Sequence, residues 1–418
     1  MQQKVRLPLL GMLLAVLLAG CTSLATPLTL GVAERPVASA LTEPHSSAGS
    51  STASPTTPGP SYQPAPGSSV APLDSLNSTT LPAKPQMYVL YYLWWSTYHW
   101  HNTLGPNYPY SQEQADISAG TTPPLPGTLG SNGCNEHPSY SGDSIVDIPS
   151  VGLYDQAQAS TFDHQIAVAV SHAITGFIVD WIGTGSSSQT PSSSGYNSRF
   201  DLFVKRVDAW NANHTTHFSI GMGLDVFGNF NRPSSQVIGD LTYFRNRYAA
   251  DPAFKNAYST KPLVFLVDSK KYPVSTVSAV SSAVGGGLFL IGDETPSTLS
   301  RDVKYIQGVS WYWSSQNPYT NPQSGQQVAA LASAASSAGK RWFSPVIAGF
   351  NHEIAGGGCV PRNGLQTLDT LWKANAASKP DGWFAISWNE YVENTFLEPS
   401  VRWGTQYVDE LARLIRSQ

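Results

Sequence analysis

The sequence predicts a single (β/α)8 barrel over residues 85–418, and three observations predict it. Eight short apolar runs recur along the stretch, each ending in polar or aromatic residues. Segments of helical character separate them. The length suits one large barrel and is short for two ordinary domains.

The runs fall at residues 87–94, 176–181, 218–225, 263–268, 288–293, 309–313, 342–348 and 383–388. Near-continuous apolar strands alternating with helices are the pattern of a parallel sheet covered on both faces, and eight of them suggest closure. Of the helices between, residues 162–174 set Ile166, Val170 and Ile174 on one stripe, with Asp163 near the amino end where the dipole favours a carboxylate. Residues 328–338 are Ala-rich and stop at Gly339, and residues 408–415 close the chain. A doubly wound open sheet is the alternative, but no Gly-rich phosphate turn follows the first strand.

Chemistry in a barrel sits at the carboxyl ends of the strands. Those ends collect Asp180 and Trp181 after the second strand, Asp225 after the third, Asp268 after the fourth, and Asp293 and Glu294 after the fifth. Trp311 and Trp313 lie around the sixth, and Trp388, Asn389 and Glu390 follow the eighth. Helix capping accounts for at least one of Asp268 and Asp293. Together the rest read as a site.

Ahead of the barrel, residues 1–21 combine Lys4 and Arg6 with an apolar run at 7–18 that is short for a bilayer span and ends Leu18-Ala19-Gly20-Cys21. This reads as an export signal. The tetrapeptide resembles a bacterial lipobox, which implies cleavage before Cys21 and acylation of its thiol; an ordinary signal peptide is the alternative. Membrane attachment is then through the N-terminal lipid alone. Residues 22–84 are rich in Ser, Thr, Pro, Ala and Gly and cannot bury enough apolar surface to order themselves, so they read as a flexible tether.

The formal charge is -4 and only 12% of residues are charged, with no basic cluster beyond the signal, so nucleic acid has no electrostatic footing here. Polarity comes from Ser, Thr, Asn, Gln and Tyr, alongside 12 tryptophans. Neutral, hydroxyl-rich ligands with apolar faces suit that balance, and the chain reads as a monomer. The His99/His101 pair is too short a motif to demand a metal, so none is expected, nor any cofactor.

The most informative segment is 383–400, WFAISWNEYVENTFLEPS, whose strand delivers Glu390 to the barrel mouth with Glu393 three residues on. Breaking a glycosidic bond takes one carboxyl group to protonate the departing oxygen and a second to assist attack at the sugar. Two glutamates in a partly desolvated pocket push each other's proton affinities apart, giving one acid and one base.

This segment resembles the strand-eight signature of glycoside hydrolase family 99, the endo-α-mannosidases and endo-α-mannanases, and of related family 71-like barrels. The matches are Asn389, Glu390, Tyr391, Glu393, Thr395, Glu398 and Pro399. Residues 88–96 are similar to the family's aromatic first strand and 176–183 to its second, while Arg362 and Gly364 precede the Trp372 helix much as an Arg does in those relatives. The resemblance implies that Glu390 acts as base on the sugar 2-hydroxyl, giving an epoxide-like intermediate and retention, and that Glu393 is the general acid/base. Substrate contacts are expected at Asp180, Asp225 and Trp313 from their places at the strand ends, and at Tyr92, Arg362, Asn389 and Tyr391 in the segments that carry the resemblance. Trp95 and Trp181 join them as rings to stack on sugar, with packing as the alternative.

The chain departs from the pattern at Asn394, where the family has Gly, at Val392, where mannan-cleaving members often have His, and in a long insertion at 96–151. A loop of that length is expected to roof part of the cleft. An α-1,3-glucanase and a non-catalytic sugar-binding lipoprotein stand as alternatives. Because strand eight lies between strands seven and one in a closed barrel, the loops bearing Cys359 and Cys134 flank Glu390, and a Cys134–Cys359 disulfide is expected.

Overall fold

The computed structural model describes residues 85–184, 193–226, 232–312 and 316–418. The export segment with Cys21, the tether and Trp313 lie outside the described residues.

All eight expected strands form. They are β1 (Gln86–Tyr92), β2 (Gly176–Asp180), β3 (Ser219–Asp225), β4 (Leu263–Val267), β5 (Phe289–Asp293), β6 (Gly308–Ser310), β7 (Arg341–Ile347) and β8 (Gly382–Ile386). Every neighbouring pair is parallel, and β8 pairs with both β7 and β1, closing the barrel. A helix follows each strand, from Ala159–Ser171 after β1 to Gln406–Arg416 after β8. This is the TIM-barrel architecture.

The pleat sorts the aromatic residues of β1. Tyr88 points into the barrel, where its hydroxyl meets Ser219 Oγ of β3 at 2.9 Å and its ring packs edge-on to Phe384 of β8. Tyr91 points outward, 4.9 Å from the rings of both Phe177 and Phe203, in the layer between barrel and helices. Full burial of such a ring contributes roughly 2–3 kcal/mol, and β1 is buried along its whole length.

Three local expectations are corrected. The first helix starts at Ala159, so Asp163 lies beyond its first turn and pairs with Arg206 at 2.6 Å. Neither Asp268 nor Asp293 caps a helix with its side chain: Thr295 caps Pro296–Asp302 in a capping box with Thr298, and the Asp268 carboxylate pairs with Lys271. The sixth strand ends at Ser310, because the Tyr312 amide turns to the Asp293 carboxylate at 2.8 Å.

The insertion after β1 is an ordered collar. It forms helices Thr97–Leu104 and Tyr110–Ala119 and a small sheet of Gly127–Thr128 with His137–Pro138. Trp95, Trp100, Leu104, Tyr108 and Ile145 build a second apolar cluster with Tyr391 and Phe396, so the collar packs against the loop after β8. The Cys134–Cys359 disulfide forms as expected and ties the collar to the loop after β7.

Candidate active site

The β8 strand hands the chain to a tightly bonded loop. Ser387 Oγ accepts from the Glu390 amide at 3.0 Å and contacts Thr395 Oγ1 at 2.8 Å, and the Thr395 amide returns to the Glu390 carbonyl at 3.1 Å. Glu390 Oε1 accepts from the amides of Val392 at 2.8 Å and Glu393 at 3.3 Å. The loop therefore wraps around one carboxylate.

Glu390 is 3% exposed, and burial together with the nearby charge of Glu393 pushes its proton affinity well above the usual carboxyl range, against the pull of those two amides. Burial likewise raises Glu393 to about 7, opposed by the Tyr312 hydroxyl, and Glu393 Oε2 is enclosed with no hydrogen-bond partner among the described residues. Two like charges in one desolvated pocket cannot both form cheaply, so the pair holds one proton near neutrality. Both amide donors fall on Glu390 and oppose that rise without reversing it, so the proton belongs to the pair.

Three more side chains complete the mouth. The hydroxyls of Tyr92 and Tyr312 meet at 2.8 Å, and burial and the charges of Glu393 and Glu390 push the proton affinities of both upward. Asp180, at the end of β2, is raised to about 7 by burial, opposed by Arg232, and acts electrostatically on Glu390 and both tyrosines. Arg232 is itself buried and anchored to the Asp225 carbonyl at 2.8 Å and Asp240 at 3.4 Å. Asp225 stands at the end of β3, next to this arginine.

Five of the residues expected to meet substrate are packed or hydrogen-bonded within the protein, which for Trp95 and Trp181 is the packing alternative. Trp95 is fully buried, stacked on Trp100 at 3.8 Å, and donates its indole N–H to the Asn389 carbonyl at 2.6 Å. Trp181 is buried between helices and donates to Asn197 at 2.7 Å. Tyr391 lies in the collar cluster, stacked on Phe396 at 4.2 Å. The Asn389 amide bonds the Tyr92 backbone and receives no freedom to meet a ligand. Arg362 lays its guanidinium against Phe396, Trp403 and Tyr407 and donates to the carbonyls of Asn394 and Phe396, both at 2.9 Å. It fixes the loop from behind.

Sequence reasoning missed Tyr312, hidden between two tryptophans that drew the eye, and the buried Tyr154–Glu398 pair. Tyr154 donates to Glu398 at 2.8 Å and accepts from Asn389 at 3.2 Å; burial lifts Glu398 to about 8. His99 is half-buried against Trp95, and desolvation lowers it to about 4, so it stays neutral near neutral pH.

Asn394 explains one departure from the resembling pattern. Its φ of 53° lies in the left-handed region, where Gly is easiest and Asn is the best-tolerated alternative. Its side-chain amide also binds the carbonyls of Ser144 and Asn351, each at 3.0 Å, joining collar and β7 loop.

No protein-family model matches the chain, and no curated protein matches it in sequence. Solved structures do match. The GH99 endo-α-mannosidase from Bacteroides thetaiotaomicron superposes with a TM-score of 0.54 at 17% identity, covering 66% of this chain and 84% of that one. The same enzyme in complex with bis-tris-propane gives 0.54 at 18%, covering 65% and 88%. The barrel described here has the fold seen in glycoside hydrolase family 99.

Proposed function

We propose that this chain is an exported, lipid-anchored glycoside hydrolase that cleaves α-linked glycans of α-mannan or α-glucan type, with retention, using Glu390 and Glu393. The observation that carries the proposal is the pair of buried carboxyl groups on one loop at the mouth of a family-99-like barrel, both raised by burial, beside Tyr92, Tyr312 and Asp180. A pure binder gains nothing from two coupled carboxylates in one pocket and bears their desolvation.

In the proposed cycle Glu390 takes the proton of the sugar 2-hydroxyl as that oxygen closes on the anomeric carbon, and Glu393 gives its proton to the departing glycosidic oxygen. Water then attacks the anomeric carbon, giving its proton to Glu393, while Glu390 returns the first proton to the 2-oxygen. One water is consumed, the pair is restored, and two inversions leave the configuration retained. The two carboxyl groups supply every proton transfer, so the proposal needs no metal or cofactor. Tyr312 suits the task of steadying Glu393 when that residue is ionised between the two steps.

The lipid anchor rests on Leu18-Ala19-Gly20-Cys21, and the tether at 22–84 gives the barrel reach from the membrane surface. Hydrolysis of α-mannans and α-glucans by the mature chain, followed by NMR of the first-formed anomer, tests bond, substrate class and stereochemistry together. First-formed α-anomer supports the scheme, and first-formed β-anomer overturns it.

A further inference from the structure

Asp293 ends β5 and is fully buried, yet it takes no part in the chemistry above. Its Oδ1 accepts from the Tyr312 backbone amide at 2.8 Å, and its Oδ2 from the Asp268 amide at 2.9 Å and Lys270 Nζ at 2.5 Å. Ser269 Oγ accepts from the Asp293 amide at 2.9 Å. One carboxylate thus joins the ends of β4, β5 and β6. What it holds on the third of these is the residue whose hydroxyl meets that of Tyr92 at 2.8 Å and lowers the proton affinity of Glu393.

We propose that Asp293 is a positioning residue for the reaction: with Lys270 as counter-ion, it sets the backbone of Tyr312 so that the tyrosine hydroxyl reaches Glu393 and Tyr92. The inference rests on the reading of Glu390 and Glu393 as the reacting pair. Three features favour it over a merely structural role. Both carboxylate oxygens are held by donors, one on Oδ1 and two on Oδ2, so the group is a rigid fixture. The Tyr312 amide leaves the strand ladder to reach it, ending β6 after three residues. And the bond falls on Tyr312 itself, so a shift of the amide moves the hydroxyl in the site.

The Asn variant keeps the shape of Asp293 but brings an NH2 group against donors from Tyr312, Asp268 or Lys270, whichever way the amide faces. D293N in the full mature chain is therefore expected to lower kcat about 10- to 100-fold on the glycan the wild type cleaves, with KM changed less than about 3-fold, as misplacement of an oriented group does. The deciding measurement is a double-mutant cycle with Tyr312→Phe. Acting through the tyrosine hydroxyl, D293N costs under about 3-fold once that hydroxyl is gone; a purely structural role leaves its full cost in place and overturns the proposal. Should D293N fail to fold, Lys270→Met enters the same cycle with the same two outcomes.

If the wild type cleaves no α-mannan or α-glucan, the functional reading fails and the inference is read without substrate. The Glu393 carboxyl carbon, followed by NMR in Glu-labelled protein, is expected to titrate differently in D293N than in wild type, and identically in Tyr312→Phe with and without D293N. A response to D293N that persists without the hydroxyl overturns it.

Discussion

The Asn389 side chain binds the backbone of Tyr92 at both ends, its Oδ1 accepting from the Tyr92 amide at 2.8 Å and its Nδ2 donating to the Tyr92 carbonyl at 3.0 Å. A side chain thereby prolongs the β8–β1 pairing past Ile386 and sets the residue before Glu390 against the strand that carries Tyr92. Removing it strands two buried backbone groups. Asn389→Ala is expected to cost about 2–6 kcal/mol, at about 1–3 kcal/mol for each group left unpaired. Urea denaturation checks this, and a loss under about 1 kcal/mol would mean that water replaces the amide.

At Asn394 two effects pull apart. Gly relieves the left-handed backbone but forfeits the bonds to Ser144 and Asn351, whereas Ala forfeits the bonds and keeps the strain, worth about 1–2 kcal/mol. Asn394→Ala is therefore expected to be less stable than Asn394→Gly by about that amount, with both below wild type. Thermal melts of the pair give the order directly; equal values would remove the backbone argument.

These two residues show how far the sequence could be read. Eight apolar runs marked the barrel, since a strand covered on both faces must be apolar along its length. The loop context of Cys134 and Cys359 followed from closure. What sequence did not disclose was the division between residues that face the cleft and residues that brace them. Asn389 and Tyr391 flank Glu390 in one segment, and Trp95 and Arg362 fall in two others that carry the resemblance, yet each is packed or hydrogen-bonded within the protein, and only the folded structure reveals it. Tyr312 escaped because its importance lies in a hydroxyl contact made across the barrel.

Stability should fall as pH rises across neutrality. Burial lifts Glu398 to about 8 and Asp180, Glu294 and Glu393 to about 7, so the folded chain keeps protons that the unfolded chain releases near its ordinary carboxyl values. Their contribution is complete below those ordinary values and is lost as pH climbs through about 7 and 8. Glu398→Gln, which keeps an acceptor for Tyr154 and cannot ionise, is expected to flatten the decline between about pH 5 and pH 8. Denaturation midpoints at several pH values test this. An unchanged slope would mean that Glu398 is ionised in the folded protein.

The disulfide closes a long loop, 225 residues apart in sequence, and the entropy of that closure is worth about 5 kcal/mol in the chain model. It also braces the loop that carries Glu393. Cys359 pairs with Asn351 in a small hairpin, and the Asn351 amide donates to the Glu393 carbonyl at 2.8 Å. Thiol titration of the unreduced mature chain is expected to find neither Cys134 nor Cys359 reactive, and the Cys134→Ser/Cys359→Ser variant is expected to lose both stability and turnover. Turnover unaffected at a temperature where the variant is folded would separate the brace from the catalytic loop.

The most direct test of the central claim is reducing-sugar release by the mature chain from a panel of α-mannans and α-glucans, measured beside Glu393→Gln. The account predicts release from one polymer class and a fall of at least about 100-fold in the variant, the scale of a lost general acid. Binding without release by the wild type, or equal release by the variant, would contradict it and favour a tethered sugar-binding protein on the same barrel.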